Sequence, residues 1–391
     1  MRDTPTFPAP VPWPQRQRAF ATPTDAVYLD AASKGARLRH VLDGAHAMLE
    51  AEAAPWWLPH ADWMRRIEDA RALAAQVLFD GDVEGLAMVP SAAHGLATAA
   101  ANLPLRRGQT VLVLEGQFPS NLLAWQQRCA QAGAHVVGAV PRADETLTEA
   151  VLRTIDHTPE LAIATLPHCY WHDGRLLDLD AIADAVHARG AALVLDLSQS
   201  LGVLPLQLAR WRPDFVVAVG YKWLLGTMGL TWLWASPRWR DEGVPLEQHW
   251  VARDAGADWV FPLDTPPPYL PGARRFDAGG IADPLRLLLT HGGLAQLQAW
   301  QPARIAVALG EVTSALDAAL DARGLSAWKT PGHAPHIAGL RVPAERLDAV
   351  AGAFARRGVI CSRRQGCLRL APYLMVTAEH VEEVVEIAAN A

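Results

Sequence analysis

The chain has 391 residues, 51% of them apolar and 19% charged, with a formal net charge of −6. That length and apolar content suit one large core and one smaller one, and the interspersed acids and bases leave no basic stripe for nucleic acid and no polybasic patch for a membrane surface. The opening MRDTPTFPAPVPWPQRQR lacks an apolar targeting core, and no run reaches the roughly 18 apolar residues of a membrane span, so the expectation is a cytoplasmic protein acting on small molecules.

The proline-rich PTFPAPVPWP reads as part of a loosely ordered arm, residues 1–27. From about residue 80 to 235, short apolar runs alternate with helical patterns. The strand candidates are GLAMVP (85–90), TVLVLEG (110–116), HVVGAV (135–140), LAIATLP (161–167), AALVLDLS (191–198), DFVVAVG (214–220) and GLTWLWAS (229–236). Between them lie helices such as SNLLAWQQRCAQAG, which stops at Gly133, and LDLDAIADAVHARG, which stops at Gly190. Such alternation predicts an α/β fold, a mainly parallel seven-stranded sheet flanked by helices. Only YKWLLGTM separates the last two runs, too short for a helical crossover, so that pair is expected to be antiparallel. DTPPPYLPG (264–272) closes the sheet region, and a large domain over 28–283 is expected to give way to a small α+β domain over 284–391. The latter comprises long helices (284–324), HIAGLRVP, a helix at 344–357, strands VICSRR and CLRLAP, and a final helix.

Lysine is scarce: Lys34, Lys222 and Lys329 are the only ones, and Lys222 sits in DFVVAVGYKWLLGTMGL between an apolar run and a glycine-bounded turn. A lysine at a strand end most often covers apolar surface with its stem. Here LVLDLSQS places Asp196 at the carboxyl end of a buried parallel strand, where open α/β sheets bind ligands. A buried carboxylate needs a cationic partner, and a lysine in an apolar pocket tends to become a nucleophilic amine. That pairing is what pyridoxal 5'-phosphate requires: a carboxylate to keep the pyridine nitrogen protonated and a lysine to form the internal Schiff base.

LVLDLSQSLGVLPL, followed 26 residues after its aspartate by the lysine of GYKWLLGTMGLTWLW, resembles the class V aminotransferases, fold type I enzymes of pyridoxal phosphate. The nearest motifs are those of kynureninase-like and isopenicillin N epimerase-like members, and the likeness runs from YLDAAS near 28 to LRLAPYLMVT near 377. It implies a homodimer with shared active sites. In VPSAAHGLATAAANL it implies that Ala92 and Ala93 donate backbone N–H groups to the phosphate at a helix N-terminus; the family's usual hydroxyls are missing, and Ser91 or His94 would compensate. It implies that Tyr221 binds the phosphate through its hydroxyl and that Phe118, in EGQFPSNLLAW, stacks on the cofactor ring. His168 and Trp171 of TLPHCYWHDG, and Gln199, would approach the cofactor's 3-hydroxyl. Arg369 in GCLRLAPYLMVT would grip the substrate α-carboxylate with its planar fork. In RRFDAGGIADP, Gly280 replaces a threonine that reaches the neighbouring subunit's phosphate, leaving only a backbone N–H.

PWWLPHADWMRR supplies Trp56, Trp57 and Trp63, which either line a substrate entrance, Trp57 foremost, or pack a helix start. Cys129, Cys169, Cys361 and Cys367 contain no CxxC pair, so neither a disulfide framework nor a thiolate metal site is indicated. Cys361 and Cys367 lie in short strands joined by RRQG, without the room to swing that a desulfurase nucleophile needs. The expectation is therefore a reaction on an α-amino acid, transamination first. The alternatives are Cβ cleavage of kynureninase or cysteine-conjugate C–S lyase type, epimerisation, and, remotely, a sensor that binds the cofactor without turnover.

Overall fold

The computed structural model describes residues 7–23, 25–57, 59–256 and 259–391, with the side chains of residues 57, 60 and 61 outside that description. After a two-residue strand β1 (Val27–Tyr28), the predicted apolar runs fold as β2 (Leu86–Val89), β3 (Thr110–Leu114), β4 (His135–Ala139), β5 (Leu161–Pro167), β6 (Ala192–Asp196), β7 (Phe215–Val219) and β8 (Thr231–Ala235). They form one sheet in the order β2-β8-β7-β6-β5-β3-β4. Strand β8 runs antiparallel to both neighbours, β2 and β7, and the remaining pairs are parallel. The antiparallel β7–β8 connection follows from its length: Gly226 N donates to Gly220 O at 2.8 Å, and Leu225 takes φ +56° to close the turn.

Continuous apolar strands bury both faces, and alternation divides them between two cores. Val216, Ala218, Trp232 and Trp234 enter one cluster, and Phe215, Val217, Val219, Leu233 and Ala235 the other. The helices between strands start and stop on local chemistry. Asp178 Oδ1 accepts from the N–H groups of Asp180 and Ala181 to cap Leu179–Ala188, and Gly133 at φ +67° ends Ser120–Ala132. Ser91 caps the helix Ala92–Asn102, its Oγ accepting from His94 N at 3.1 Å.

Beyond the sheet, helices Pro284–Trp300 and Pro302–Ala322 lead to β9 (Ala338–Leu340), a helix Ala344–Arg356, β10 (Val359–Ile360), β11 (Ser362–Arg364), β12 (Cys367–Leu370) and a helix Ala378–Ala389. VICSRR breaks into two strands because its halves serve different partners: β10 pairs in parallel with β1, whereas β11 joins the antiparallel sheet β11-β12-β9. The described part of the N-terminal arm is packed rather than loose. Val11 is bracketed by Gln296, which accepts from its N–H at 2.7 Å and donates to its carbonyl at 2.9 Å, and Phe20 is 1% exposed. Proline fixes the extended backbone there, and Val11 offers the amide that Gln296 binds. Among the described residues no helix is long and apolar enough to cross a membrane.

Candidate active site

The carboxyl ends of β5, β6 and β7 open into a cleft with an empty volume of about 750 Å³. Pro167, Asp196 and Val219 form its floor, and the loop after β7 adds Tyr221 and Lys222. The start of the helix Ala92–Asn102 supplies Ser91, Ala92 and Ala93 to its wall. Strand order explains the convergence, since parallel neighbours end on the same side of the sheet and their following loops share one crevice.

Lys222 is 7% exposed and Asp196 8%. Burial lowers the Lys222 amine to about 8, opposed by Asp196 and reinforced by Arg369 and Arg364. Burial is also the largest influence on Asp196, whose pKa is raised; donors from Ser198, including its N–H at 3.1 Å, and the nearby Lys222 pull the other way. The Lys222 Nζ lies 5.5 Å from the centre of the Phe118 ring and 5.8 Å from that of Tyr221. Trp171 meets Phe118 edge-on with centroids 5.2 Å apart and is held by Nε1 donating to Gly116 O at 2.9 Å.

Asp196, Gln199, Tyr221, Lys222, Phe118, Trp171, Ala92 and Ala93 all line this cleft. The Gln199 amide is already bonded at both ends, donating from Nε2 to Ala32 O at 3.0 Å and accepting from Trp223 Nε1 at 3.0 Å. His168 is not among the lining residues. Strand alternation puts Pro167 and Cys169 into the cleft and turns His168 away, against Trp211 at 5.2 Å, where burial lowers it to about 4. His94 also lies outside the lining, its Nε2 3.9 Å from Glu247 Oε1, and burial lowers its pKa. Ser91 lines the cleft, but its hydroxyl is the helix cap. Gly280, at φ +79°, is outside the lining too. Its segment is anchored by Asp277, which accepts from Arg71 Nη2 at 2.6 Å and from Met88 N at 2.8 Å. Trp56 is 74% exposed, neither it nor Trp63 lines the cleft, and the Trp57 side chain lies outside the described residues.

Arg369, on β12, is not among the lining residues either; it touches the cleft only through the Trp171 carbonyl. Its side chain is 1% exposed, with Nη2 donating to Asp30 Oδ1 at 3.0 Å and Ser33 Oγ at 2.6 Å, and Nη1 to Trp171 O at 2.8 Å. The segment 30–37 is the contribution that sequence reasoning missed. Gly35 N donates to Tyr221 O at 2.8 Å, and a β-carbon at Gly35 would collide with the Lys222 carbonyl oxygen. Arg37 donates to Gly226 O and, at 3.4 Å, to Thr227 Oγ1, clasping the lysine loop. Gln117 was also missed, although it precedes Phe118; its Nε2 is buried in the cleft without a partner.

The donor set fits pyridoxal 5'-phosphate: a buried carboxylate, a buried amine of lowered pKa, an aromatic wall, a helix N-terminus and an unmatched amide N–H. Burial pushes the thiols of Cys361 and Cys367 up to about 12 and 11 respectively, so neither resembles an activated nucleophile. Among the described residues no group of three or more His, Cys, Asp or Glu could hold a metal ion.

Residues 27–248 match the family Aminotransferase class-V. The uncharacterized aminotransferase YcbU of Bacillus subtilis is 27% identical over 80% of this chain and 81% of its own length. The kynureninase of Deinococcus radiodurans is 29% identical over 68% of this chain and 65% of that enzyme. In three dimensions, the cysteine desulfurase of Thermococcus onnurineus superposes with a TM-score of 0.81 over 98% of both chains at 15% identity, a likeness of fold. The chain belongs to the class V aminotransferase family, whose cofactor is pyridoxal 5'-phosphate.

Proposed function

We propose that this protein carries pyridoxal 5'-phosphate covalently on Lys222 and catalyses transamination of an α-amino acid. The observation that carries this is the buried pair of Asp196 and Lys222 at the cleft floor, with the amine lowered to about 8. Bound there, the cofactor supplies a sink for the electrons left when a bond to Cα breaks. The chain's own residues do the rest. Lys222 moves the Cα proton, Asp196 holds the pyridine nitrogen protonated, and Phe118 stacks on the ring. Ala92 and Ala93 N–H groups, the Tyr221 hydroxyl and the Gln117 amide hold the phosphate. Gln199, whose orientation Ala32 and Trp223 fix, would form a wall beside the 3-hydroxyl. Arg369 takes the substrate α-carboxylate, drawn from its partnership with Asp30.

A homodimer accompanies this reading, with the Gly280 backbone N–H serving a second copy's phosphate. A cytoplasmic setting accords with free Cys129, Cys169, Cys361 and Cys367. Cβ cleavage of kynureninase or C–S lyase type is the second reading, favoured by the aromatic wall of Phe118 and Trp171. Borohydride reduction and peptide mass analysis test the attachment: the phosphopyridoxyl adduct should sit on Lys222, and an adduct elsewhere, or none, defeats it. An amino-acid panel that includes kynurenine then separates the reactions. Keto acid with the cofactor left as the amine means transamination, whereas pyruvate, alanine or anthranilate with the aldehyde retained means cleavage.

A further inference from the structure

A second guanidinium shares the Ser33 hydroxyl with Arg369 and lies against Trp171 of the cleft wall, outside the lining itself. It belongs to Arg364, the last residue of β11, and in the turn that follows Gln365 Oε1 is 3.8 Å from where a β-carbon of Gly116, the neighbour of the lining residue Gln117, would be. Arg364 Nη2 donates to Ser33 Oγ at 3.2 Å, the hydroxyl that also accepts from Arg369 at 2.6 Å. Its guanidinium carbon lies 5.6 Å from the centre of the Trp171 ring, which is a cleft wall.

The two arginines differ in charge balance. Arg369 has Asp30 as counter-ion, whereas Arg364 has no carboxylate within 4.0 Å among the described residues. Arg364 spends Nη1 on the Arg363 carbonyl at 2.8 Å, and its Nε is buried without a partner. Its positive charge is also felt at Lys222, which places it within electrostatic reach of the reacting amine. A half-buried cation with an unmatched N–H gains by meeting an anion, and a guanidinium suits a planar carboxylate.

We propose that Arg364 receives a second carboxylate, the one that ends the substrate's side chain, so that the enzyme selects acidic α-amino acids. The assignment rests on the α-amino-acid reading above, in which Arg369 takes the α-carboxylate. The substrate's methylenes would then pass Trp171, the ring beside which Arg364 lies.

The test is a titration of the holoenzyme with matched probes, aspartate with asparagine, glutamate with glutamine and 2-aminoadipate with norleucine, using the cofactor absorbance change to obtain each Kd. At least one acid should bind about tenfold tighter than its neutral partner. Arg364→Gln should abolish that preference while leaving neutral probes within about twofold. Arg364→Lys, which keeps the charge without the fork, should retain part of it, and serves alone if the glutamine variant does not fold. An undiminished preference in the variants, or equal weakening of acid and neutral partners, overturns the assignment. Amino acids that bind the parent without preference for the acid overturn this inference alone. A holoenzyme that responds to no amino acid overturns the α-amino-acid reading with it.

Discussion

Arg71 and Asp277 offer the sharpest test of how the cleft wall is held. The two side chains are 0% and 2% exposed and meet through Nη2–Oδ2 at 2.6 Å and Nη1–Oδ1 at 3.2 Å. Asp277 also accepts from Met88 N at 2.8 Å, and Arg71 Nη1 donates to Leu86 O at 2.6 Å, so the pair ties the 277–280 segment to β2 just before Ala92 and Ala93. Asp277→Asn keeps the volume but turns an amide NH₂ toward a guanidinium and leaves the Arg71 charge without its buried counter-ion. Breaking a buried pair from one side costs about 3–5 kcal/mol. Glu68, bonded to Arg71 Nε at 3.1 Å but 45% exposed, compensates weakly, which places the expected loss near the lower end. Urea unfolding of parent and variant gives the value from the midpoint at unchanged slope. Arg71→Met with Asp277→Leu should not recover the loss, since it removes the charges but leaves the Met88 N–H and the Leu86 carbonyl buried without their partners. A loss below about 1 kcal/mol for Asp277→Asn would mean that the pair is already hydrated or mobile, and the account of the wall would be wrong.

The Lys222 amine, at about 8 against an ordinary 10.5, releases its proton more readily folded than unfolded, so apo-protein stability should rise between those pH values. A thermal-shift profile should show that rise and lose it in Lys222→Met; an identical profile in the variant rules the titration out. Asp196→Asn removes the carboxylate that favours the ammonium, so the pH midpoint for pyridoxal capture by the apo protein should move down, and an upward move contradicts the geometry. Gly35→Ala should cost roughly 1–3 kcal/mol by overpacking against the lysine loop and slow cofactor capture, measurable by unfolding and absorbance; a silent variant would show the contact to be soft. Ellman's reagent should react slowly with native protein at pH 8, because burial raises Cys129, Cys169, Cys361 and Cys367 alike; one fast thiol at Cys361 or Cys367 would reopen desulfuration.

The central sheet was legible because its strands are short, uniformly apolar and punctuated, and because an eleven-residue span at 220–230 leaves no room for a crossover helix. The placement of Asp196 and Lys222 in the cleft was legible for a related reason, since the end of a buried parallel strand is a fixed place and a charged residue there stands out. His168 misled because a loop after a strand keeps the strand's alternation for a residue or two, and register decides which side chain enters the cleft. The packed arm and the break at Cys361 were hidden because both depend on partners hundreds of residues away, Gln296 for Val11 and Val27 for Val359. No local pattern encodes such a partner.

The same non-local logic accounts for the segment 27–37, which carries no residue the motif assigned a role. Its start pairs with β10, Ala31 N donates to Ala371 O at 3.0 Å and Ala371 N to Leu29 O at 2.7 Å, so it moves with the strands that bear Arg364 and Arg369. Its end bonds Tyr221 O through Gly35 and the lysine loop through Arg37. Asp30 and Ser33, between these anchors, hold Arg369 itself. One short stretch therefore spans the distance between Arg369 and the Lys222 loop. A substrate that draws Arg369 from Asp30 acts on the same segment that positions Lys222. If Arg369 takes the α-carboxylate as proposed, residues 30 to 35 connect that binding to the placement of the Lys222 amine.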